Sequence, residues 1–233
     1  MEVSQNLPRC VGVIIDGNRR FANERGVSPA QGHQEGAKRL NEFVHWAYDA
    51  GVEYVITYAF STENWKRGDK EVAHLMDLLR EFLRDNIVEA IKEGVRLRII
   101  GQRERFAEDI QELFRDAEEK TRHGGRGALV FALSYGGRAE ILDAVKRAAD
   151  EKSKADIENM TEEDFSEYLW TKDIPDPDMI IRTGGEQRLS NFLLWQSVYS
   201  ELFFTDTYWP AFTKEEFHTM LDEFSRRERR NGT

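Results

Sequence analysis

The stretch "VGVIIDGNRR", residues 11–20, joins a short run of apolar, mostly β-branched side chains to a charged, amide-containing segment. A run of this length and composition predicts a strand whose two faces are both buried. Four more runs of the same kind follow along the chain, at residues 52–60, 95–100, 128–133 and 178–181. These five runs are the predicted strands.

Helical patterns lie between these runs. Ser28 followed by Pro29 is typical of a helix start, because serine caps the first turn and proline fits the first helical position. From Val72 to Leu83 apolar residues recur three and four apart, which predicts a longer helix that ends near Gly94. Strands that alternate with helices are typical of an α/β fold, so we expect one mostly parallel sheet flanked by helices.

The length and composition indicate a soluble protein with one core. The chain has 233 residues, and we expect residues 1–233 to form a single domain. No apolar run is long enough to span a membrane, and the N-terminus lacks the features of a signal peptide. Cys10 is the single cysteine, which excludes a disulfide framework. These features predict a cytoplasmic protein.

The charge of the chain argues against one class of partner. The formal net charge is −10, so we expect no nucleic acid to bind. The basic segment "RRERR", residues 226–230, leaves this expectation unchanged. Cations at the end of a helix complement the helix dipole and remain solvated.

Polar segments follow four of the five predicted strands. They read "DGNRR", "STENWKR", "SYGGR" and "RTGGEQR". In a parallel sheet, ligands bind beyond the carboxyl ends of the strands. The side chains that we expect at this one edge are Asp16, Asn18, Arg19, Arg20, Ser61, Asn64, Arg67, Arg138, Arg182 and Arg188.

The arginines at this edge predict a site for a phosphate-bearing ligand. A guanidinium group can bind two phosphate oxygens at once. In "IRTGGEQRLSNF", residues 181–192, Arg182, Arg188 and Ser190 surround a flexible glycine pair. A surface ion pair with Glu186 would explain one of these arginines, but not several arginines that follow different strands.

A carboxylate at the same edge would repel a phosphate unless a divalent cation lay between them. Mg²⁺ is held by one or two protein carboxylates together with substrate phosphates. Asp16 fits that role, with Glu186 or Glu201 as its partner. Large apolar residues in the same segments suit a substrate with a charged head and an apolar tail. They are Phe21, Phe60, Trp65, Phe192, Leu193, Leu194 and Trp195.

Two other kinds of enzyme are conceivable. "ALSYG", residues 132–136, is close to the nucleophile motif of serine hydrolases, and a serine esterase would use Ser134, Asp206 and His218. That hypothesis leaves the arginines unexplained. Asp16 could instead be the nucleophile of a phosphohydrolase, but the second aspartate of that motif is Asn18 here.

Six segments in the same order resemble the signature segments of the cis-prenyltransferases, of the bacterial undecaprenyl diphosphate synthase type. They are "DGNRRFANERG", "GHQEGA", "TYAFSTENWKR", "RLRIIG", "SYGGRAEI" and "IRTGGEQRLSNFLLWQSVYSELFFTD" with the following "YWPAF". The resemblance runs from about Val11 to Gly232. Six segments in one order are far more specific than any one of them.

The resemblance implies a role for each residue. Asp16 would bind Mg²⁺ and act in catalysis with Asn64, and Glu201, rather than Glu186, would complete the metal site. Arg182, Arg188 and Ser190 would hold the diphosphate of isopentenyl diphosphate. The residues implied for the allylic diphosphate are Gly17, Asn18, Arg19, Arg20, Phe21, His33, Ser61, Trp65 and Arg67.

The sequence departs from the bacterial pattern on the allylic side. Arg19 replaces a common glycine, Phe21 replaces tryptophan, and Gly68 stands where proline is usual. Pro29 occupies a position that often carries an arginine for the allylic diphosphate, and Arg19 could supply that charge. The identity of the allylic primer is therefore open, whereas the isopentenyl side is intact.

The resemblance implies a homodimeric, Mg²⁺-dependent enzyme that adds isopentenyl diphosphate to an allylic diphosphate of the farnesyl or geranylgeranyl type. The product would be a Z-polyprenyl diphosphate, a precursor of lipid carriers for glycans. A family member that passes the prenyl group to a different acceptor is the alternative.

The family's product tunnel runs between the sheet and a helix, here predicted at residues 71–92, and ten or eleven isoprene units are expected. The predicted wall residues are Val72, Leu75, Met76, Leu79 and Leu83. The terminal "RNG", residues 230–232, would reach the partner's site, and membrane contact would be at most peripheral, for product release.

Overall fold

A computed structural model describes residues 7–227 of the protein. Within this range, six strands form one sheet with the spatial order β3-β4-β2-β1-β5-β6, and every neighbouring pair is parallel. The strands are β1 (Cys10–Ile14), β2 (Tyr54–Ser61), β3 (Val95–Ile100), β4 (Gly127–Tyr135), β5 (Met179–Arg182) and β6 (Glu201–Phe204). The five predicted strands are confirmed. The prediction missed β6, whose sequence "ELFF" begins with a charged residue and was not selected as an apolar run.

Eight α-helices connect or follow these strands in the described range. They are α1 (Asn18–Glu24), α2 (Pro29–Asp49), α3 (Asp69–Glu93), α4 (Glu108–Thr121), α5 (Gly137–Glu151), α6 (Lys154–Glu158), α7 (Glu162–Ser166) and α8 (Lys214–Arg226). A short 3-10 helix, Thr62–Lys66, lies between β2 and α3. No helix within residues 7–227 combines the length and the apolar composition that crossing a membrane requires.

The predicted helix ends are confirmed. Ser28 accepts a hydrogen bond from the backbone N–H of Gln31, and the Gln31 side chain accepts one from the Ser28 N–H, so the two residues cap α2 reciprocally. At the end of α3, Gly94 takes a left-handed conformation with φ at +67°, which glycine adopts without steric cost.

Both faces of the sheet are covered. On one face α2, α3, α4 and α8 pack against side chains such as Val11, Val13 and Phe131. On the other face Ile14 and Ile180 pack with Phe192 and Leu193, which belong to the segment after β5. The strands are therefore buried on both sides, as their near-continuous apolar sequences require.

The parallel arrangement brings the segments that follow the strands to one edge. Ile14 at the end of β1 pairs with Tyr58 of β2 and with Arg182 at the end of β5. Ser61 at the end of β2 pairs with Tyr135 at the end of β4. The carboxyl ends of β1, β2, β4 and β5 thus lie side by side, and the predicted polar edge is confirmed. The terminal "RNG", residues 230–232, lies outside the described residues.

Candidate functional site

A cavity of about 290 Å³ lies between the sheet, α2 and α3. Its polar lining comes from strand ends and the following segments: Asp16, Asn18, His33, Ser61, Asn64, Arg67 and Arg182. Its apolar lining comes from α2, α3 and β4, and it includes Leu40, Leu75, Met76, Leu79, Phe82, Phe131 and Leu133. The cavity thus joins a charged, amide-containing part to a hydrocarbon-lined part.

Asp16 lies between two guanidinium groups. Arg182 donates from Nη2 to Oδ2 of Asp16 at 2.9 Å, and Nη2 of Arg20 lies 3.2 Å from Oδ1. Thr183 fixes the backbone of Asp16, because its hydroxyl donates to the Asp16 carbonyl at 2.7 Å and accepts from the Asp16 N–H at 3.1 Å. Arg182 itself is only 4% exposed, so Asp16 neutralises a buried charge.

Arg182 also fixes the segment that follows β5. Its Nη1 donates to the hydroxyl of Ser190 at 2.7 Å and to the backbone carbonyl of Arg188 at 2.5 Å. The guanidinium of Arg188 extends away from this contact to the carboxylate of Glu186, and its side chain is exposed. The structure therefore brings Arg182 and Ser190 together, whereas the Arg188 side chain stands at the surface.

The glycine pair in this segment is required by its backbone. Gly184 and Gly185 have φ values of +86° and +81°, and a Cβ at Gly184 would lie 2.7 Å from Nη2 of Arg20. Their N–H groups donate to the carbonyls of Thr207 and Thr205 at 2.9 and 2.8 Å. These amides thus hold the turn against the segment after β6.

Asn18 is fixed by close packing of α1 on α2. Its Nδ2 donates to the carbonyl of Ile15 at 3.3 Å, and its Oδ1 is buried without a hydrogen-bond partner among the described residues. A Cβ at Gly36 would lie 2.1 Å from that oxygen, and a Cβ at Gly32 would lie 2.4 Å from the Asn18 carbonyl. The two glycines of "GHQEG" therefore allow α1 to approach.

His33 lines the cavity from α2, and its side chain is 11% exposed. Burial, and next the positive charge of Arg67, lower the pKa of this imidazole to about 4. Its Nε2 has no hydrogen-bond partner within residues 7–227 and lies 3.9 Å from Glu71. At neutral pH the imidazole is therefore neutral, and its buried Nε2 has no protein hydrogen-bond partner among the described residues.

Glu71 belongs to this edge although the sequence analysis did not select it. Its Oε1 lies 3.1 Å from Arg67 and 3.9 Å from Arg19. Glu71 is four residues after Arg67, at the start of α3, which is the spacing at which opposite charges meet on a helix. This spacing could have been used to predict from the sequence that Glu71 pairs with Arg67.

The segment between β2 and α3 is held by internal hydrogen bonds. The Oδ1 of Asn64 accepts from the Ser61 N–H at 2.9 Å, and the indole N–H of Trp65 donates to the hydroxyl of Ser134 at 2.9 Å. Ser61, Asn64 and Arg67 line the cavity, while Trp65 packs against Phe60 and Phe106 beside it.

The esterase hypothesis finds no support in this arrangement. Ser134 is fully buried, with φ at +47°, and its hydroxyl bonds to Trp65 and Gln102. Asp206 lies beyond β6, where it approaches Gly185, and the exposed His218 belongs to α8. A catalytic triad needs its histidine hydrogen-bonded to the serine, and Ser134 has other partners.

The remaining predicted residues lie around the cavity rather than in its lining. Gly17 has φ at +107° and packs on Tyr208, whose ring also receives the guanidinium of Arg20 at 5.3 Å. Arg19 is exposed, and Phe21 is half-buried with the guanidinium of Arg25 over its ring. The exposed Arg138 is held by its backbone N–H, which donates to Asn191.

The two predicted metal ligands lie apart within one chain. Glu201 begins β6, beside Met179 at the start of β5, and its carboxylate accepts from Arg227 at 2.6 Å. Asp16 follows the carboxyl end of β1, at the opposite end of the sheet. Glu186, the alternative that the resemblance disfavoured, lies closer, 3.9 Å from Arg20. Glu201 is therefore not beside Asp16 within one chain, and its role in the metal site stays a prediction.

The predicted wall helix contributes only part of its apolar face to the cavity. Leu75, Met76 and Leu79 line it, as expected. Leu83 is fully buried in the core instead, and Val72 packs against that core.

Comparison with known proteins shows which family the chain resembles. The prenyltransferase family model for undecaprenyl diphosphate synthase matches residues 14–232. An isoprenyl transferase from Thermotoga maritima is 46% identical over 226 residues, which are 97% of each chain. A tritrans,polycis-undecaprenyl-diphosphate synthase (geranylgeranyl-diphosphate specific) from Pyrococcus furiosus is 43% identical, over 97% of this chain and 87% of its own.

A solved structure agrees with these sequence relatives. The lavandulyl diphosphate synthase of Lavandula x intermedia, in complex with dimethylallyl diphosphate, superposes with a TM-score of 0.90 at 31% identity. The match covers 97% of this chain and 99% of that one.

Proposed function

The chain belongs to the undecaprenyl diphosphate synthase family of prenyltransferases, and we propose that it is a Mg²⁺-dependent cis-prenyltransferase. It would condense isopentenyl diphosphate with an allylic diphosphate primer and release a Z-polyprenyl diphosphate. One observation carries the proposal: a single cavity joins a charged part at the strand ends to an apolar part between the sheet and α3. A prenyl diphosphate has the same two parts.

The polar part of the cavity divides into two proposed subsites. Arg182, Arg188 and Ser190 hold the diphosphate of isopentenyl diphosphate. The allylic diphosphate lies toward α1 and α2, within reach of Arg20 and the neutral His33. The segment from Ser61 to Arg67 lies beside it. The other residues assigned to this subsite are Gly17, Asn18, Arg19, Phe21 and Trp65. Guanidinium and imidazole N–H groups suit diphosphate oxygens.

The donor set at the strand ends fits Mg²⁺ rather than a metal held by protein alone. Among residues 7–227 there is no group of three or more histidine, cysteine, aspartate or glutamate side chains placed to hold a metal ion. Mg²⁺ needs only one or two carboxylates when substrate phosphates supply the other ligands. Asp16 would be that carboxylate, and the metal would add positive charge beside the departing diphosphate.

The reaction needs charge stabilisation more than covalent chemistry. The C4 carbon of isopentenyl diphosphate attacks the allylic carbon, the diphosphate of the primer departs, and a proton leaves C2. Negative charge grows on the departing group, where donors already in place act most strongly. Arg20 is such a donor, because its guanidinium is held by Asp16 and by the ring of Tyr208. Asn64 is proposed to orient the reacting ends.

The growing chain is proposed to occupy a tunnel that begins in the apolar part of the cavity. Leu75 and Leu79 of α3 line this part. A second cavity, of about 310 Å³, lies further along the same layer between α2 and α3, next to Val44, Asn86 and Leu129. A hydrocarbon chain that extended past the turn of α3 at Leu83 would enter this second cavity. The added space favours a product longer than a few isoprene units, and we propose a length of ten or eleven.

The acting form is proposed to be a homodimer that forms along β6, which is an edge strand of the sheet among residues 7–227. Around the start of β6, Val198, Tyr199 and Leu202 are exposed, at 70%, 64% and 37%. A bare edge strand with apolar side chains is a surface that proteins normally cover. Antiparallel pairing of two such edges would bring Glu201 of one chain toward the carboxyl strand ends of the other. Glu201 could then contribute to the metal site in the dimer.

The test is incubation with labelled isopentenyl diphosphate and each allylic primer, followed by sizing of the products. With Mg²⁺ and farnesyl or geranylgeranyl diphosphate, we expect Z-polyprenyl diphosphates, and with EDTA none. The structural likeness to lavandulyl diphosphate synthase favours one further arm, dimethylallyl diphosphate alone, because that solved complex holds dimethylallyl diphosphate. A branched product in that arm only would overturn the proposal and support transfer to a different acceptor. We also propose that the enzyme is cytoplasmic, and the assay therefore uses the protein in solution without added membrane.

A further inference from the structure

The backbone of Asn191 is held in a conformation that most residues avoid. Its φ is +70°, and φ is also positive at the preceding Ser190, at +51°, and at Leu193 two residues later, at +45°. Residues other than glycine adopt this left-handed region at a cost, which is smallest for asparagine. Such a backbone conformation persists only where surrounding contacts stabilise it. The contacts of Asn191 therefore indicate its structural role.

Asn191 caps α5 from another part of the chain. Its backbone carbonyl accepts from the N–H of Gly137 at 2.7 Å, and its Oδ1 accepts from the N–H of Arg138 at 2.9 Å. These are the first two residues of α5, whose N–H groups have no partner within the helix. Gly136, which precedes them, has no side chain that could cap them. Asn191 therefore takes the place of the missing cap.

The same side chain reaches the segment after β2. The Nδ2 of Asn191 donates to Oε1 of Glu63 at 3.4 Å. A Cβ at Gly136 would lie 2.6 Å from that Nδ2 and 2.9 Å from the Thr62 hydroxyl, so the glycine leaves the space in which these segments meet. Segments that follow β2, β4 and β5 are thus joined at one residue.

The fixed backbone of Asn191 determines the place of Ser190. The Ser190 hydroxyl accepts from Nη1 of Arg182, and Nη2 of the same guanidinium donates to Asp16. We infer that Asn191 is a positioning residue, which holds Ser190 and through it Arg182 ready for a diphosphate. This inference rests on the proposed function, in which those two residues bind isopentenyl diphosphate. Asn191 itself is proposed to make no contact with the substrate.

The first test is Asn191→Gly, which keeps the left-handed backbone accessible and removes both side-chain contacts. We expect the KM for isopentenyl diphosphate to rise about tenfold or more, with kcat and the allylic KM within about threefold. Asp173→Gly is the matched control, because Asp173 is also left-handed, with φ at +66°, but is exposed after α7. A role confined to stability would lower the melting temperature of Asn191→Gly and leave the KM of the folded enzyme unchanged.

The second test separates the contact with Glu63 from the cap on α5. Asn191→Asp keeps an oxygen for the Arg138 N–H but places a second carboxylate against Glu63. We expect a rise in the same KM, and we expect Glu63→Gln in that background to restore it, because the introduced amide can donate to the introduced carboxylate. Glu63→Gln alone should raise this KM less than Asn191→Asp does, since its carbonyl oxygen still accepts from Asn191.

A binding measurement keeps this inference distinct from the proposed function. Isopentenyl diphosphate is titrated by calorimetry with Mg²⁺ and without an allylic primer, so that no turnover occurs. If the unchanged protein binds and makes polyprenyl product while Asn191→Gly binds with the same Kd, the positioning role is wrong. If the unchanged protein neither binds isopentenyl diphosphate nor makes product, the proposed function fails, and the inference fails with it.

Discussion

Arg182 donates to Asp16 at 2.9 Å, and this bond joins two residues that are 166 positions apart in the sequence. The two lie at the ends of neighbouring strands, β5 and β1. Arg182 is nearly inaccessible to solvent, whereas the Asp16 side chain is 31% exposed and open to a ligand. The pair therefore holds a buried cation in place and presents a carboxylate to the cavity.

Removal of the Asp16 charge should affect both activity and stability. We expect Asp16→Asn to lower kcat about 100-fold or more, because the proposed metal and Arg20 both depend on this carboxylate. The buried guanidinium of Arg182 loses its ionic partner, so the free energy of unfolding should fall by about 1–2 kcal/mol. Turnover assays and urea unfolding measure the two effects. The exposed Asp173→Asn is the control, and near-normal turnover of Asp16→Asn at ordinary Mg²⁺ would remove Asp16 from the site.

The exposed Arg188 allows a cleaner test of the isopentenyl subsite than the buried Arg182. Arg188→Ala should mainly raise the KM for isopentenyl diphosphate, since one charge-assisted contact of about 2 kcal/mol corresponds to roughly 30-fold. Steady-state kinetics with each substrate varied in turn gives the two KM values. An increase confined to the allylic KM would mean that the two subsites are reversed.

His33 should make stability depend on pH. Its pKa is lowered from 6.5 to about 4 by burial, so the unfolded chain binds a proton between these values that the folded chain does not. The part of the free energy of unfolding that depends on neutral His33 is therefore fully present above about pH 6.5. It is lost as the pH decreases toward 4, and the loss is about 3 kcal/mol. His33→Gln should lose less stability than the unchanged protein between pH 7 and pH 4, as measured by urea unfolding. An equal loss in both proteins would show that His33 is not the cause.

The wall of the proposed tunnel can be tested on α3. Leu79→Trp adds volume inside the apolar part of the cavity, and we expect shorter products while the first condensation stays within about twofold. Val88→Trp is the control on the same helix, because Val88 is 69% exposed. Product chromatography gives the length distribution. Unchanged lengths in both Leu75→Trp and Leu79→Trp would exclude α3 as the wall.

The proposed dimer edge predicts a change of mass. Tyr199→Glu places a charge among the exposed apolar residues at the start of β6, which should shift the protein from dimer to monomer by light scattering. Val88→Glu, at an equally exposed position on α3, should leave the mass unchanged. If the unchanged protein is monomeric at micromolar concentration, the dimer proposal does not hold.

Much of this architecture was predictable because local rules and tertiary packing agree. The strands around Val11 and Val130 are apolar throughout, which a parallel sheet covered on both faces requires. Since the strands were expected to be parallel, the location of Asp16 and Arg182 at one edge of the sheet was predictable, but the strand order that makes β1 and β5 neighbours was not. The resemblance to a family assigned roles to residues, but it did not reveal which of them meet in space.

The features that were not predicted have physical causes. Because "ELFF" was not recognised as a strand, the position of Glu201 at the amino end of β6, away from Asp16 of the same chain, was not predicted. The segment around Ser134 is close to the short nucleophile motif, but the burial of its hydroxyl against Trp65 depends on tertiary packing that the sequence does not display. Asn191 gave no signal because a helix cap supplied by a distant segment has no fixed spacing in sequence.

The central place of β1 in the sheet has a consequence for folding. This strand is the first to leave the ribosome, but one of its two neighbours, β5, is synthesised more than 160 residues later. Contacts between such distant segments form late, because a long loop must first be closed. A nascent chain that ends before β5 can place the Asp16 carboxylate at the end of a strand but has no Arg182 beside it. The charged part of the cavity therefore forms only after β5 has been synthesised, and a chain truncated before β5 is not expected to retain partial activity.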